Sequence, residues 1–194
     1  NIFQEILPEI GLKATTHKIV RVKVNGVDWG LMDMQEHISN TMLEKNKLKD
    51  SLVVSFNDEV YWTKYSREEK LPLEKSKYWL SNPRLFVDPS GKSIKRFTNQ
   101  EYLYYSYILN TLKNDDYQNL LFNKSYLNNA ITISSIWGNY HALSDGNTKY
   151  YFNPFTLKLE PLMSDQGPFK LINRDEKIDD YYSGFLNTDK ILNK

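Results

Sequence analysis

Residues 20–36 read Val20-Arg-Val-Lys-Val-Asn-Gly-Val-Asp-Trp-Gly-Leu-Met-Asp-Met-Gln-Glu36. Val20, Val22 and Val24 alternate with Arg21 and Lys23, the period of two that gives a strand one apolar face. Asn25-Gly26 comes next. Both residue types accept positive φ, and the pair set between two alternating runs is the strongest short-range signal for a hairpin. The second run carries Trp29, Leu31 and Met34, and Gln35-Glu36-His37 leaves the pattern. The stretch predicts an antiparallel hairpin of residues 19–24 and 27–34.

Upstream, Phe3, Ile6, Leu7 and Ile10 stand at helical spacing, interrupted by Pro8 and closed by Gly11. Downstream, residues 39–47 read as a short helix or turn and residues 52–56 as a strand. Residues 61–100 are charged and aromatic, with Pro72, Pro83 and Pro89, and predict loops with short helices. Thr98 with Glu101 forms a capping box that opens a helix over about residues 99–113, with Leu103, Tyr107, Ile108 and Leu112 expected inward. Two further helices are predicted over residues 115–122 and 126–137. A loop over 138–147 follows, then a second hairpin of residues 149–153 and 158–163 around Pro154-Phe155-Thr156-Leu157, closed by Ser164-Asp165-Gln166-Gly167. The tail from Asp175 is polar and weakly patterned. Strands cluster first and helices second, which predicts an α+β fold.

The chain has 194 residues, with Lys+Arg 25 against Asp+Glu 24 for a formal net charge of +1. A balanced chain has no global electrostatic reason to seek nucleic acid or an anionic membrane. Hydrophobic residues at 40% suffice for a core, and the absence of Cys excludes disulfides, thiolate metal sites and cysteine nucleophiles. No apolar run of about 18 residues predicts a membrane span. The first residue is Asn1, and the chain is expected to be part of a longer protein.

Pro89-Ser90-Gly91-Lys92-Ser93 invites comparison with a phosphate-binding P-loop. That motif needs a second glycine five residues before Gly91, where Phe86 stands, so the stretch reads as a surface turn. His17, His37 and His141 lack zinc-type spacing. Asp145-Gly146-Asn147 and Asp165-Gln166-Gly167 flank the second hairpin. A short hairpin returns its ends to about 5 Å, so these two turns should face each other. A carboxylate beside an amide oxygen suits Mg²⁺ and phosphate oxygens, although both stretches are also ordinary turn sequences.

Three stretches resemble the CotH family of kinase-like proteins named for a spore coat protein. They are residues 20–36, Met42-Leu-Glu-Lys-Asn46, and Tyr150-Tyr-Phe-Asn-Pro-Phe-Thr-Leu-Lys-Leu-Glu-Pro-Leu162 with Asp165 after it. The last is the most specific. The resemblance implies a protein-kinase-like two-lobe fold, with residues 1–36 as part of an N-lobe and 37–194 as a C-lobe bearing an insert over 57–97. It implies ATP with Mg²⁺ or Mn²⁺ as cofactors and transfer of the γ-phosphoryl to a hydroxyl, expected to be Ser or Thr of a protein acceptor. Met34, Gln35 and Glu36 would form the hinge beside the adenine, and Asn147 and Asp165 would hold metal. Asp145 or His141 would act as catalytic base. The family's phosphate-binding Lys is expected on a strand upstream of Asn1. The same resemblance implies an exported or surface-associated bacterial protein. The alternative is a degraded kinase-like coat scaffold, with Tyr61, Trp62, Tyr65, Tyr78 and Trp79 offered to a protein partner.

Overall fold

A computed structural model describes residues 2–56, 85–87, 96–112, 118–143 and 147–171. Helix α1 (Ile2–Glu9) buries Phe3 and Leu7, and Gly11 closes it at φ +78°. Strands β1 (His17–Val24) and β2 (Val27–Gln35) form the hairpin that the sequence predicts. Asn25 and Gly26 both take positive φ, 51° and 83°, which matches the turn to the right-handed twist of the strands.

This hairpin is a two-stranded sheet of its own. Val22 pairs with Gly30 but Lys23 pairs with Asp28, so Trp29 is an extra residue in a bulge and Gly30 sits at φ +82°. Asp28 stabilises the bulge by accepting from the Gly30 N–H (2.9 Å) and from Arg21 Nε (2.8 Å). The Arg21 guanidinium holds the Asp28 carboxyl below its ordinary pKa. The opposite face of the ribbon carries Val20, Val22, Met32 and Met34.

Helix α2 (Asn40–Lys45) begins at Ser39, whose side chain accepts from the Met42 N–H. Strand β3 (Val53–Phe56) pairs with β4 (Leu85–Val87) on one side and with β5 (Lys149–Asn153) on the other, and β6 (Lys158–Leu162) completes an antiparallel sheet of order β4-β3-β5-β6. Among the described residues, three α-helices lie between β4 and β5 in sequence: α3 (Asn99–Leu112), α4 (Gln118–Leu121) and α5 (Lys124–Trp137). The capping box opens α3 as read: the Glu101 N–H donates to Thr98 Oγ1 (3.2 Å), and the Thr98 N–H donates to Glu101 Oε2 (2.7 Å).

Tyr150, Tyr151 and Phe152 are all buried, so β5 is covered on both faces. On one face Val54, Tyr150, Phe152 and Leu159 pack with Ile108, Leu112, Leu121 and Leu127 from the helices. On the other, Val53, Tyr151 and Leu162 meet Met42 and Leu43 of α2. Burial pushes the Tyr151 phenol up to about 12, while its hydroxyl donates to Lys49 O (2.8 Å). A third cluster joins Phe3, Leu7 and Leu12 to Ala130 and Ile133 of α5 and to Met163.

The mixed α+β class is the one expected. One inward assignment on α3 is corrected. Leu103 is 67% exposed, while Tyr104, Tyr105 and Leu109 pack beside Ile108, and Tyr107, though 38% exposed, keeps its ring 6.1 Å from that of the buried Phe152. The face is set by Tyr104, whose ring lies 5.0 Å from that of Phe152, and by Ile108 and Leu112 one and two turns on. The P-loop-like stretch, the aromatic insert at Tyr61–Trp79 and the polar tail lie outside the described residues. Truncating Ile108 to Ala should cost about 2–5 kcal/mol in urea unfolding. Leu103→Ala should stay within about 0.5 kcal/mol. Equal losses would return α3 to the face first expected.

Candidate functional site

The residues that follow β6 leave the sheet, so their carbonyls have no ladder partner and need donors from elsewhere. Met163 and Ser164 are buried. Gln4 of α1 donates to Met163 O (2.7 Å). Gln35, the last residue of β2, donates to Ser164 O and also lies 3.4 Å from Thr15 Oγ1. The Trp137 indole at the end of α5 donates to Gly167 O (3.0 Å), and Asn139 donates to Pro168 O (2.9 Å). Four side chains from three parts of the chain thus fix the path on both sides of Asp165.

Gln166 ties this segment to the loop after α5. Its Oε1 accepts from the Ala142 N–H (3.2 Å), and its amide donates to Asn139 O. The loop begins with Gly138 in the left-handed region (φ 66°), which ends α5 with an αL cap. It continues through a single 3₁₀ turn, His141–Leu143, whose first N–H donates to Asn139 Oδ1 (3.0 Å). A Cβ at Gly167 would stand 2.3 Å from Asn139 Nδ2, so any larger residue there must displace the Asn139 side chain.

These supports bring together three of the residues singled out in the sequence. His141 Nε2 lies 3.5 Å from Asp165 Oδ2 and 3.3 Å from the Asn147 amide nitrogen. The His141 and Asp165 side chains are 49% and 61% exposed, so the cluster is open to solvent. Asp145, the fourth candidate, lies outside the described residues. Asn147 and Asp165 thus both lie beside His141.

The expected hinge residues take three different positions. Gln35 is turned inward onto Ser164, the neighbour of Asp165. Glu36 accepts from Lys45 Nζ and from the Thr16 N–H (3.2 Å), and its own N–H donates to Thr16 O (2.8 Å). Lys45 holds the Glu36 carboxyl below its ordinary pKa, against the opposing effect of burial. Met34 is 55% exposed on the apolar side of the ribbon. Beside them, His17 is held between Asp33 Oδ2 (2.7 Å) and Thr15 Oγ1 (3.1 Å), so hydrogen bonds run from the base of the ribbon to Ser164.

Asp165 and Asn147 are oxygen donors of the kind that hold a divalent cation together with phosphate and water, and the open setting leaves room for both. Among the described residues no group of three or more His, Cys, Asp or Glu converges, so any such ion takes part of its shell from ligand or solvent. No helix among the described residues is long and apolar enough to cross a membrane. No protein-family model matches the chain, and no curated protein matches it significantly.

Sequence reasoning missed Gln4, Trp137, Asn139 and Gln166 as supports of the site. Only Gln166, already quoted within Asp165-Gln166-Gly167, carried a local signal.

Two outcomes follow. Gly167→Ala should destabilise by about 1–3 kcal/mol by displacing the hydrogen-bonded Asn139 side chain. In an Asn139→Ala background the same change should cost clearly less, and equal costs in urea titrations of both backgrounds would rule out the contact. The lowered Glu36 pKa contributes stability that is complete above the ordinary glutamate value of about 4.3. That stability is lost as pH falls through the lower folded value. The Tm gap between wild type and Glu36→Gln should therefore narrow from pH 6 to pH 3, whereas a constant gap would exclude the ion pair as its source.

Proposed function

We propose that the chain is the catalytic part of a CotH-like kinase, transferring the γ-phosphoryl of ATP to a hydroxyl acceptor, Ser or Thr of a protein. The observation that carries this reading is the convergence of His141, Asn147 and Asp165 at one open edge of the fold. Phosphoryl transfer asks little covalent chemistry of a protein beyond positioning and charge stabilisation, and an oxygen-donor pair beside a proton acceptor meets that demand. The likeness of the second hairpin and of residues 20–36 to the CotH pattern supports it further.

In this mechanism Asp165 and Asn147 would hold a divalent ion, which would supply charge neutralisation of phosphate oxygens. A base, Asp145 or His141, takes the acceptor hydroxyl's proton as the new O–P bond forms and the bond to ADP breaks. Met34, Gln35 and Glu36 border the nucleotide. Gln35 has a second task in this scheme, because its hydrogen bond to Ser164 O couples the nucleotide edge to the metal edge. The kinase-like two-lobe arrangement belongs to the same proposal, with the β1–β2 ribbon as part of the N-lobe sheet.

A second reading, a catalytically silent kinase-like scaffold, is favoured by the ribbon's exposed side chains. Trp29 is 58%, Leu31 74% and Met34 55% exposed, apolar side chains that a partner protein could cover.

A thermal-shift titration separates the two. At 100 times its dissociation constant, ATP with Mg²⁺ or Mn²⁺ stabilises the protein it binds by about 2.7 kcal/mol. The kinase reading expects a metal-dependent rise in Tm that Asp165→Ala abolishes. A lack of any metal-dependent rise would overturn it in favour of the scaffold.

A further inference from the structure

Thr15, His17 and Asp33 stand in the order hydroxyl, imidazole, carboxylate. His17 Nδ1 lies 2.7 Å from Asp33 Oδ2, and His17 Nε2 lies 3.1 Å from Thr15 Oγ1. Each of these bonds has one direction. A carboxylate only accepts, so Nδ1 carries the ring's proton. In that tautomer Nε2 is an acceptor, and the Thr15 hydroxyl donates to it. The lone pairs of Thr15 Oγ1 are then free for Gln35, whose amide nitrogen stands 3.4 Å away. The same nitrogen donates to Ser164 O, and because a carbonyl only accepts, the orientation of the Gln35 amide is fixed. A ring protonated at both nitrogens would donate to Thr15 Oγ1 instead, and the hydroxyl hydrogen would then lack an acceptor among the described residues.

The same order of groups activates a nucleophile in hydrolases of the Ser-His-Asp type. Here Thr15 is 3% exposed and receives the Gln35 amide, so its oxygen does not reach a substrate. The His17 side chain is 7% exposed, whereas that of Asp33 is 42% exposed at the surface of the ribbon. What this chain of bonds carries is orientation, from the ribbon to the carbonyl beside Asp165. We infer that His17 is a positioning residue for the Asp165 carboxylate: locked by Asp33 as its Nδ1–H tautomer, it holds the Thr15 hydroxyl, which seats the Gln35 amide on Ser164 O. Carboxylates that bind an ion depend on such outer partners for their aim. The inference rests on the metal role proposed for Asp165.

Three measurements test it. The first is the nitrogen-15 spectrum of the histidine rings at pH 8, above the ordinary histidine pKa of about 6.5. The signals lost in His17→Gln belong to His17. Its Nδ1 should be protonated and its Nε2 bare, and the opposite tautomer overturns the inference. The second compares Thr15→Val, which removes the hydroxyl and keeps the shape, with Thr15→Ser, which keeps the hydroxyl. The Ser164 N–H donates to Leu162 O (3.1 Å), and the Phe152 N–H in the core donates to Leu52 O (2.8 Å). In Thr15→Val the ratio of their hydrogen-exchange rates, Ser164 over Phe152, should rise about 10-fold, the equivalent of one hydrogen bond. Thr15→Ser should restore the ratio. A loss of global stability alone speeds the core amide at least as much, so an unchanged ratio overturns the inference. The third is the Mg²⁺ concentration that gives half of the ATP-dependent rise in Tm. Thr15→Val should raise it about 10-fold, the low end of what loss of an outer partner costs at metal sites, and Thr15→Ser should leave it unchanged. An unchanged Mg²⁺ requirement in Thr15→Val overturns the positioning of Asp165. If wild type shows no ATP-dependent rise, the kinase reading fails, while the tautomer and the exchange ratio still decide whether His17 sets the segment around Asp165.

Discussion

The carbonyl oxygens of Met163, Ser164, Gly167 and Pro168 each accept from a side chain: Gln4, Gln35, Trp137 and Asn139 in turn. A chain leaving a sheet edge has lost its ladder, and a buried carbonyl without a donor is costly. Amide and indole groups supply here what a neighbouring strand supplies elsewhere. The position of Asp165 depends on this substitution, because the residues on either side of it are held and its own carboxylate is left exposed. α1, the ribbon, α5 and the loop after α5 all meet at this one segment.

Hydrophobic packing places those donors. Phe3 and Leu7 fasten α1 against Ala130 and Ile133 of α5, which brings Gln4 to Met163. Phe3 and Trp137 meet edge to face at 5.2 Å, so the ring whose N–H reaches Gly167 O is itself fixed by the helix that carries Gln4. The apolar contacts set position and the hydrogen bonds set direction. The doubly covered strand β5 gives both a rigid base, with Tyr150, Tyr151 and Phe152 shared between two clusters.

The features legible in the sequence were those with local causes. The Asn25-Gly26 turn, the Thr98–Glu101 box and the paired runs around Pro154 each declare themselves within a few residues, and each stands as read. Asn147 and Asp165 stand at the two ends of the second hairpin, and both lie beside His141. The face of α3 was not legible. Tyr102, Leu103, Tyr104, Tyr105 and Tyr107 put large rings or aliphatics all round the helix, so periodicity had no preferred direction until Phe152 supplied one. The carbonyl donors were hidden more deeply. A glutamine at position 4 carries no mark of a partner 159 residues away. The bulge at Trp29 was likewise invisible, because Val27, Trp29 and Leu31 keep the alternation through it and only the pairing with β1 reveals the shift.

That separation of 159 residues has a consequence for synthesis on the ribosome. Gln4, Phe3 and Leu7 are made early, but Met163 emerges only after nearly the whole described chain. At translation speeds of about 5–20 residues per second, α1 waits on the order of 10–30 s for the strand segment it helps to hold. The α5 face that covers Phe3 and Leu7 is likewise a late product. Until α5 is made, the apolar side of this eight-residue helix lacks the residues that cover it in the folded protein. Nascent-chain chaperones therefore have a defined window of action on this protein, and it closes when residues 163–168 leave the exit tunnel.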